Sequence, residues 1–173
     1  MKVIAGKYKN RILKSFKGQS VRPTSGIVKK SLFEIIKPLN SKRVLDLFSG
    51  IGSLGIESLS RGASSATFVE KNKKVFKVLL ENVKTICSED EVFLINKDVN
   101  MFLKSNNEKY DIILADPPYG LFEFDELILM ISDLLEYGGI FCMENKTQKI
   151  DCKDVRIKNY GKTQVVIWQK KEK

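Results

Sequence analysis

Val44-Leu-Asp-Leu-Phe-Ser-Gly-Ile-Gly-Ser-Leu-Gly55 is the stretch that decides the fold. Its first half is a short, almost continuously apolar run of the kind that forms a strand buried on both faces. Its second half places glycines at 50, 52 and 55, which lets the chain turn tightly and enter a helix. The pattern predicts a strand over Val44 to Phe48 and a helix over Ser53 to Arg61. The alternation then repeats downstream. Strands are expected at Thr67 to Glu70, Val92 to Asn96, Tyr110 to Ala115 and Ile140 to Met143, with helices at Lys73 to Ile86, Val99 to Lys104 and Glu123 to Glu136. This order implies a mostly parallel α/β sheet with helices on both faces. The tail breaks the rule: Val155 to Lys158 and Thr163 to Gln169 flank only Asn159-Tyr-Gly-Lys162, too few residues for a crossover helix. An antiparallel last strand is expected there, giving seven strands in all.

Upstream of Val44 the chemistry changes. Residues 1–43 carry twelve Lys and Arg and one acid, Glu34, for a local charge of +11, while the remainder is −2 and the whole chain of 173 residues is +9. A positive field concentrated at one end has a polyanion as its natural partner, and a solvated lysine-rich surface is the plainer alternative. Residues 1–20 alternate loosely between apolar and basic around Gly6, Asn10 and Gly18, which fits a short basic hairpin. Arg22-Pro23-Thr24-Ser25 reads as a helix entry, and Val28, Leu32, Ile35 and Ile36 share a face until Pro38. That phase puts Lys29 and Lys30 near the exposed side. The expected organisation is a basic RNA-binding appendage over residues 1–40 and a catalytic domain over residues 41–173.

Several chemistries are excluded at once. The chain has no histidine, which removes histidine-based nucleophilic catalysis and histidine-ligated zinc. Cys87, Cys142 and Cys152 are odd in number and far apart, so reduced thiols are expected rather than a disulfide framework or a metal site. No apolar run nears the ~18 residues of a membrane span and the start lacks a secretory h-region, so a cytoplasmic protein with no membrane partner is expected.

Gly50, Gly52 and Gly55 form a G-x-G-x-x-G loop, and Glu70 closes the next strand twenty residues after Gly50. An acid in that position can accept hydrogen bonds from a ribose hydroxyl; a packing turn beside a solvated strand end is the competing explanation. Asp46 discriminates between cofactors. An acid on the strand just before the loop repels a pyrophosphate and favours a ligand with cationic groups beside an adenosine, as in S-adenosylmethionine. A buried, hydrogen-bonded structural acid is the lesser alternative for Asp46. Asp98, after the third strand, fits either an acceptor for the adenine amine or an ordinary helix N-cap.

Asp116-Pro117-Pro118-Tyr119 ends the fourth strand, at the carboxyl edge where open α/β sheets bind ligands. Two prolines fix φ, remove two N–H donors and leave a rigid turn rich in acceptors. An exocyclic amine needs such a turn, because its lone pair is delocalised into the ring. The Asp116 carboxylate and Pro117 carbonyl can each accept one N–H, while Tyr119 offers a face for stacking.

Together these segments resemble the RsmD family of class I S-adenosylmethionine-dependent methyltransferases. The resemblance rests on Val3-Ile-Ala-Gly-Lys-Tyr-Lys-Asn-Arg11, Arg22-Pro-Thr24, the glycine-loop stretch through Glu57, and Asp116 to Tyr119. It implies a Rossmann-like fold and methylation of a guanine N2 amine in 16S ribosomal RNA, free or within a small-subunit assembly. It also implies that Asp46, Phe48, Ser49, Gly50 and Gly52 line the cofactor with Asp116, that Glu70 holds its ribose and that Asp98 faces its adenine. Asp116, Pro117, Pro118 and Tyr119 would hold the target base. Arg22 and Thr24 would lie beside the site, with Lys7, Lys9 and Arg11 on the RNA backbone. Ala5 and Asn10 stand where the family favours glycine. DNA adenine-N6 or protein glutamine-amide methylation uses the same acceptor logic, and a non-catalytic RNA-binding assembly factor could retain the fold. A nicotinamide-dependent reductase would bind a dinucleotide and not S-adenosylmethionine; calorimetry with both ligands is expected to show binding of S-adenosylmethionine alone.

Overall fold

The computed structural model describes residues 1–16, 26–118 and 120–171, so Arg22-Pro23-Thr24-Ser25 and Tyr119 lie outside the described residues. After an N-terminal arm come α1 (Gly26–Ile35), β1 (Arg43–Leu47), α2 (Ser53–Ser60), β2 (Ser65–Val69), α3 (Lys73–Ile86), β3 (Glu91–Ile95), α4 (Val99–Ser105), β4 (Tyr110–Ala115) and α5 (Phe124–Ile131). A 3₁₀ turn at Ser132–Leu134 leads to β5 (Leu135–Lys146), β6 (Val155–Tyr160) and β7 (Thr163–Gln169). The seven strands form one sheet in the order β3-β2-β1-β4-β5-β7-β6. Pairing is parallel from β3 through β5, and β7 lies antiparallel between β5 and β6.

The strand order reverses direction at β1. Its neighbours are β2 on one side and β4 on the other, so the connections leaving β1 and β4 open a crevice at their carboxyl ends. Central strands bury both faces. Val44, Ile112, Leu114, Cys142 and Val165 pack towards α1, α2 and α3. Leu45, Leu47, Ile113, Phe141, Met143 and Val166 pack towards α4 and α5. This two-faced burial explains why the strands read as continuous apolar runs. α3 follows helical spacing: Val75, Leu79, Asn82, Val83 and Ile86 are buried along one face, and Asn72 caps it by accepting from the Lys74 and Val75 N–H groups.

Two expectations need correction. The expected helix over Glu123 to Glu136 ends at Ile131, and β5 runs well beyond Ile140 to Met143 at both ends. The cause is lateral pairing. β7 pairs with β5 from Ile140 to Lys146, and on the other side Leu135 pairs with Tyr110 before the register shifts at Ile112. Ladder bonds of this sort leave no trace in a local apolar pattern.

The second correction is Lys29, expected near the exposed face and in fact 1% exposed. It follows the spacing of Leu32, Phe33 and Ile36, and its stem crosses the interface to α2. Its Nζ pairs with Glu57 at 3.3 Å and donates to the Lys2 carbonyl at 3.1 Å and Ser53 Oγ at 3.2 Å. Glu57, also fully buried, accepts the N–H groups of Ile4 at 2.7 Å and Ala5 at 3.0 Å and pairs with Arg61 Nε at 2.8 Å. The arm itself holds one bridge, Lys2 with Ile12, closed by Val3 N–H to Arg11 and Asn10 N–H to Val3. Gly6, at φ +84°, lies against Ser60, whose carbonyl oxygen stands 1.7 Å from where a Cβ would be. Only glycine fits there. Val3 and Leu13 join the same apolar cluster as Leu32, Phe33, Ile56 and Leu59. No helix among the described residues is long and apolar enough to cross a membrane.

Removing one member of a buried ion pair leaves the other charge uncompensated. Lys29→Met is expected to cost roughly 3 kcal/mol, read as a lower urea midpoint at unchanged m. A midpoint within error of the parent would refute a supporting role for this pair.

Candidate active site

The expected cofactor and base residues converge on the carboxyl edge of the parallel strands. Asp46 pairs in register with Leu114, and Leu47 with Ala115, so the glycine loop and the Asp116 turn leave the sheet side by side. Phe48, at φ +60°, projects over this edge and packs tilted against Phe122 with ring centroids 5.2 Å apart. That contact ties the glycine loop to the segment following the proline turn. Ser49 is buried; its Oγ donates to the Asp46 carbonyl at 2.6 Å and accepts the Val69 N–H at 2.8 Å. The loop is thereby pinned to β2. Gly50 and Gly52 adopt φ of +56° and +91°. A Cβ at Gly52 would meet Leu79 Cδ1 at 2.6 Å, and one at Gly55 would meet the Phe68 ring at 2.2 Å, so close helix packing also demands glycine here.

Asp46 is 1% exposed and accepts the Gly55 N–H at 2.8 Å, supplying a partner for a free amide in the first turn of α2. The hydrogen-bonded structural role is thus present in the structure. Burial, reinforced by the charges of Asp116 and Glu70, pushes its carboxyl up to about 8, while the Gly55 N–H opposes the shift. Glu70 is half-buried and bends back over the loop: Oε2 accepts from Gly50 at 2.9 Å and Oε1 from Asn72 at 2.6 Å. Burial raises its pKa against those hydrogen bonds. Each oxygen retains acceptor capacity, since a carboxylate offers about four lone-pair sites. Asp98 caps α4 through the Asn100 N–H at 3.0 Å and pairs with Lys71 at 3.0 Å, whose ammonium holds the carboxyl below its ordinary range.

Asp116 is half-buried, Pro117 buried and Pro118 exposed. The Pro118 carbonyl accepts the Leu121 N–H at 3.1 Å, which closes the turn. Glu144 joins this edge, because Ala115 pairs with Met143 and the next residues of both strands are Asp116 and Glu144. Sequence reading passed over Glu144, although an acid following an apolar strand run is the signal that marked Glu70 and Asp116. Behind it a small cavity is lined by Leu32, Leu54, Ala115, Cys142, Glu144 and Val165.

The tip of the basic arm sits elsewhere. Lys7 pairs with Asp90, Tyr8 Oη donates to the same carboxylate at 2.5 Å, and Arg11 Nη2 donates to the Thr85 carbonyl at 3.3 Å; Lys9 is exposed. These contacts lie at the C-terminal ends of α2 and α3, the sheet edge away from the glycine loop. Arg22, Thr24 and Tyr119 lie outside the described residues.

A family described as "Conserved hypothetical protein 95" matches residues 1–169. The chain belongs to that family. The protein YlbH of Bacillus subtilis (strain 168) is 33% identical over 183 residues, covering 99% of this chain and 100% of that one. "Ribosomal RNA small subunit methyltransferase D" of Haemophilus influenzae is 37% identical over 123 residues, 69% of this chain and 64% of that protein. The solved structure of yhhF from Escherichia coli superposes with a TM-score of 0.88 at 26% identity, over 100% of this chain and 99% of that one. With this fold and these relatives, the protein is a class I S-adenosylmethionine-dependent methyltransferase. The residues present fit the cofactor: Gly50 and Gly52 leave the loop backbone without side chains, half-buried Glu70 keeps acceptor capacity beside it, and a cationic ligand would offset the cost of ionising buried Asp46.

An acid whose pKa is raised on folding binds an extra proton in the folded state between its unfolded value, about 4, and its folded value. Through Asp46, folding stability should therefore fall as pH rises from about 5 to 8. Asp46→Asn should flatten that fall, followed by urea midpoints across the range. Equal slopes in parent and variant would contradict the assignment.

Proposed function

We propose that this methyltransferase acts on the exocyclic N2 amine of a guanine in 16S ribosomal RNA, free or in a small-subunit assembly, and so works in the cytoplasm. The observation that carries the reading is the acceptor-rich Asp116-Pro117-Pro118 turn standing beside the glycine loop at the switch in strand order. The Haemophilus relative named for small-subunit ribosomal RNA supports the choice of substrate, and the +11 charge of residues 1–43 supports a polyanion.

Asp46, Phe48, Ser49, Gly50, Gly52, Glu70 and Asp98 would hold S-adenosylmethionine, which supplies an electrophilic methyl group on a sulfonium. The Asp116 carboxylate and Pro117 carbonyl accept the two N–H bonds of the guanine amine, drawing nitrogen towards tetrahedral geometry and localising its lone pair. With S-adenosylmethionine bound, its methyl group would pass to that lone pair and the electron pair of the S–C bond would return to sulfur. The product nitrogen then gives up a proton to Asp116 or water. No covalent enzyme intermediate is needed, so orientation and acceptor placement supply the rate. Tyr119 provides the stacking face.

A tritiated-methyl assay on 16S RNA, small-subunit particles, DNA and release-factor protein tests the substrate. Label is expected in ribosomal RNA, and incorporation confined to DNA or protein would overturn the proposal. Asp116→Ala should lower kcat roughly 100-fold or more while calorimetric cofactor affinity changes little. Unchanged kcat would remove the carboxylate from the chemistry.

A further inference from the structure

The exposed face of α3 carries a line of cations to which the site described above assigns no work. Lys73, Lys77 and Lys84 are all exposed and stand opposite the buried Val75, Leu79, Asn82, Val83 and Ile86. Spacings of four and seven residues align them on one stripe about 16 Å long at ~1.5 Å per residue. Among the described residues, none of the three forms an ion pair. The only acid in α3, Glu81, is held by Lys14 at 2.9 Å.

The two ends of the stripe matter. Lys73 follows Glu70, Lys71 and Asn72, at the carboxyl edge where the cofactor residues gather. Lys84 adjoins Thr85, whose carbonyl accepts from Arg11 of the arm. The stripe therefore joins the catalytic edge to the arm tip on the opposite edge. The first turn of α3 contains Lys73 and Lys74 and no acid, a placement that its own dipole disfavours. A phosphate at that end would be favoured by the dipole and by both lysines. Lys7, by contrast, already has Asp90 as a partner.

We propose that Lys73, Lys77 and Lys84, continued by Arg11 and Lys9, form the track along which the RNA phosphate backbone runs from the target base to the arm. The inference rests on RNA being the substrate. Phosphates are the occupant because the stripe offers three point charges along a line, with Leu80 the one exposed apolar side chain among them, and aligned cations are what counterion-releasing contacts require. The track also explains how the arm tip, at the edge away from the glycine loop, can act on the same substrate, while Lys14 of the arm stays beside the loop by sharing the Asn82 amide with Ile51.

The test compares binding of transcribed 16S RNA by the parent, the triple variant Lys73→Glu/Lys77→Glu/Lys84→Glu, and a charge-matched control, Lys104→Glu/Lys153→Glu/Arg156→Glu, placed away from α3. Log affinity is followed against log salt. The stripe variant should bind at least roughly tenfold more weakly at about 0.1 M salt, with a slope shallower by about 2 to 3 than the parent's. The control should stay near the parent, and calorimetric S-adenosylmethionine affinity and thermal melting should be preserved in both. Equal slopes for stripe variant and control would overturn the track. Stripe-dependent binding to phosphatidylserine vesicles without stripe-dependent RNA binding would also overturn it, in favour of a membrane surface. The methylation assay separates the two layers: label in ribosomal RNA with equal slopes removes the track alone, while no label in ribosomal RNA removes the substrate reading and the track with it.

Discussion

Glu57 is the carboxylate on which three parts of the molecule close. It is fully buried in α2, the helix launched by the glycine loop, and it receives two amides from the arm, the ammonium of Lys29 from α1 and the guanidinium of Arg61. Burying a charge is costly unless hydrogen bonds and counter-charges surround it. Here four donors do so, and each comes from a segment that must be in place for the others to be satisfied. Among its described residues the arm has a single bridge of its own, so its position depends on this junction more than on strand pairing.

From that junction the electrostatics divide by edge. The carboxyl edge of the sheet gathers Asp46, Glu70, Asp98, Asp116 and Glu144, and burial, reinforced by the charges of Asp116 and Glu70, raises Asp46 well above its ordinary range. A cationic cofactor and a base offering N–H groups both suit such an edge. The helical face between α2 and α3 is basic, with its acids Glu81 and Asp90 each taken up by an arm lysine. One molecule thus presents an acidic cleft for reaction beside a basic flank for holding a polyanion, the two meeting at the start of α3, where Lys71 pairs with Asp98.

Much of the fold was legible because burial on both faces imposes a simple pattern. α3 and β7 fall on their expected limits, and β4 does so as well. Motif residues were legible for a related reason: Asp46, Glu70 and Asp116 interrupt or terminate apolar runs, where an acid has no packing purpose. The misses share one cause too. The length of β5 is set by β7, Lys29 is buried by Glu57, and Glu144 becomes notable only through its register beside Asp116. Each depends on a partner distant in the chain.

The sequence alone determined the alternation of strands and helices, the glycine loop, the acceptor-rich turn and the concentration of positive charge at one end, because propensity, periodicity and residue chemistry are local properties. Tertiary structure decided which acids share an edge, which lysines are consumed by internal partners, and where the arm lies relative to the cofactor loop. Those outcomes come from register and long-range burial. A charge has the same formal value in either description, yet whether it faces water, an opposite charge or a hydrogen-bond donor is settled only when the chain has folded.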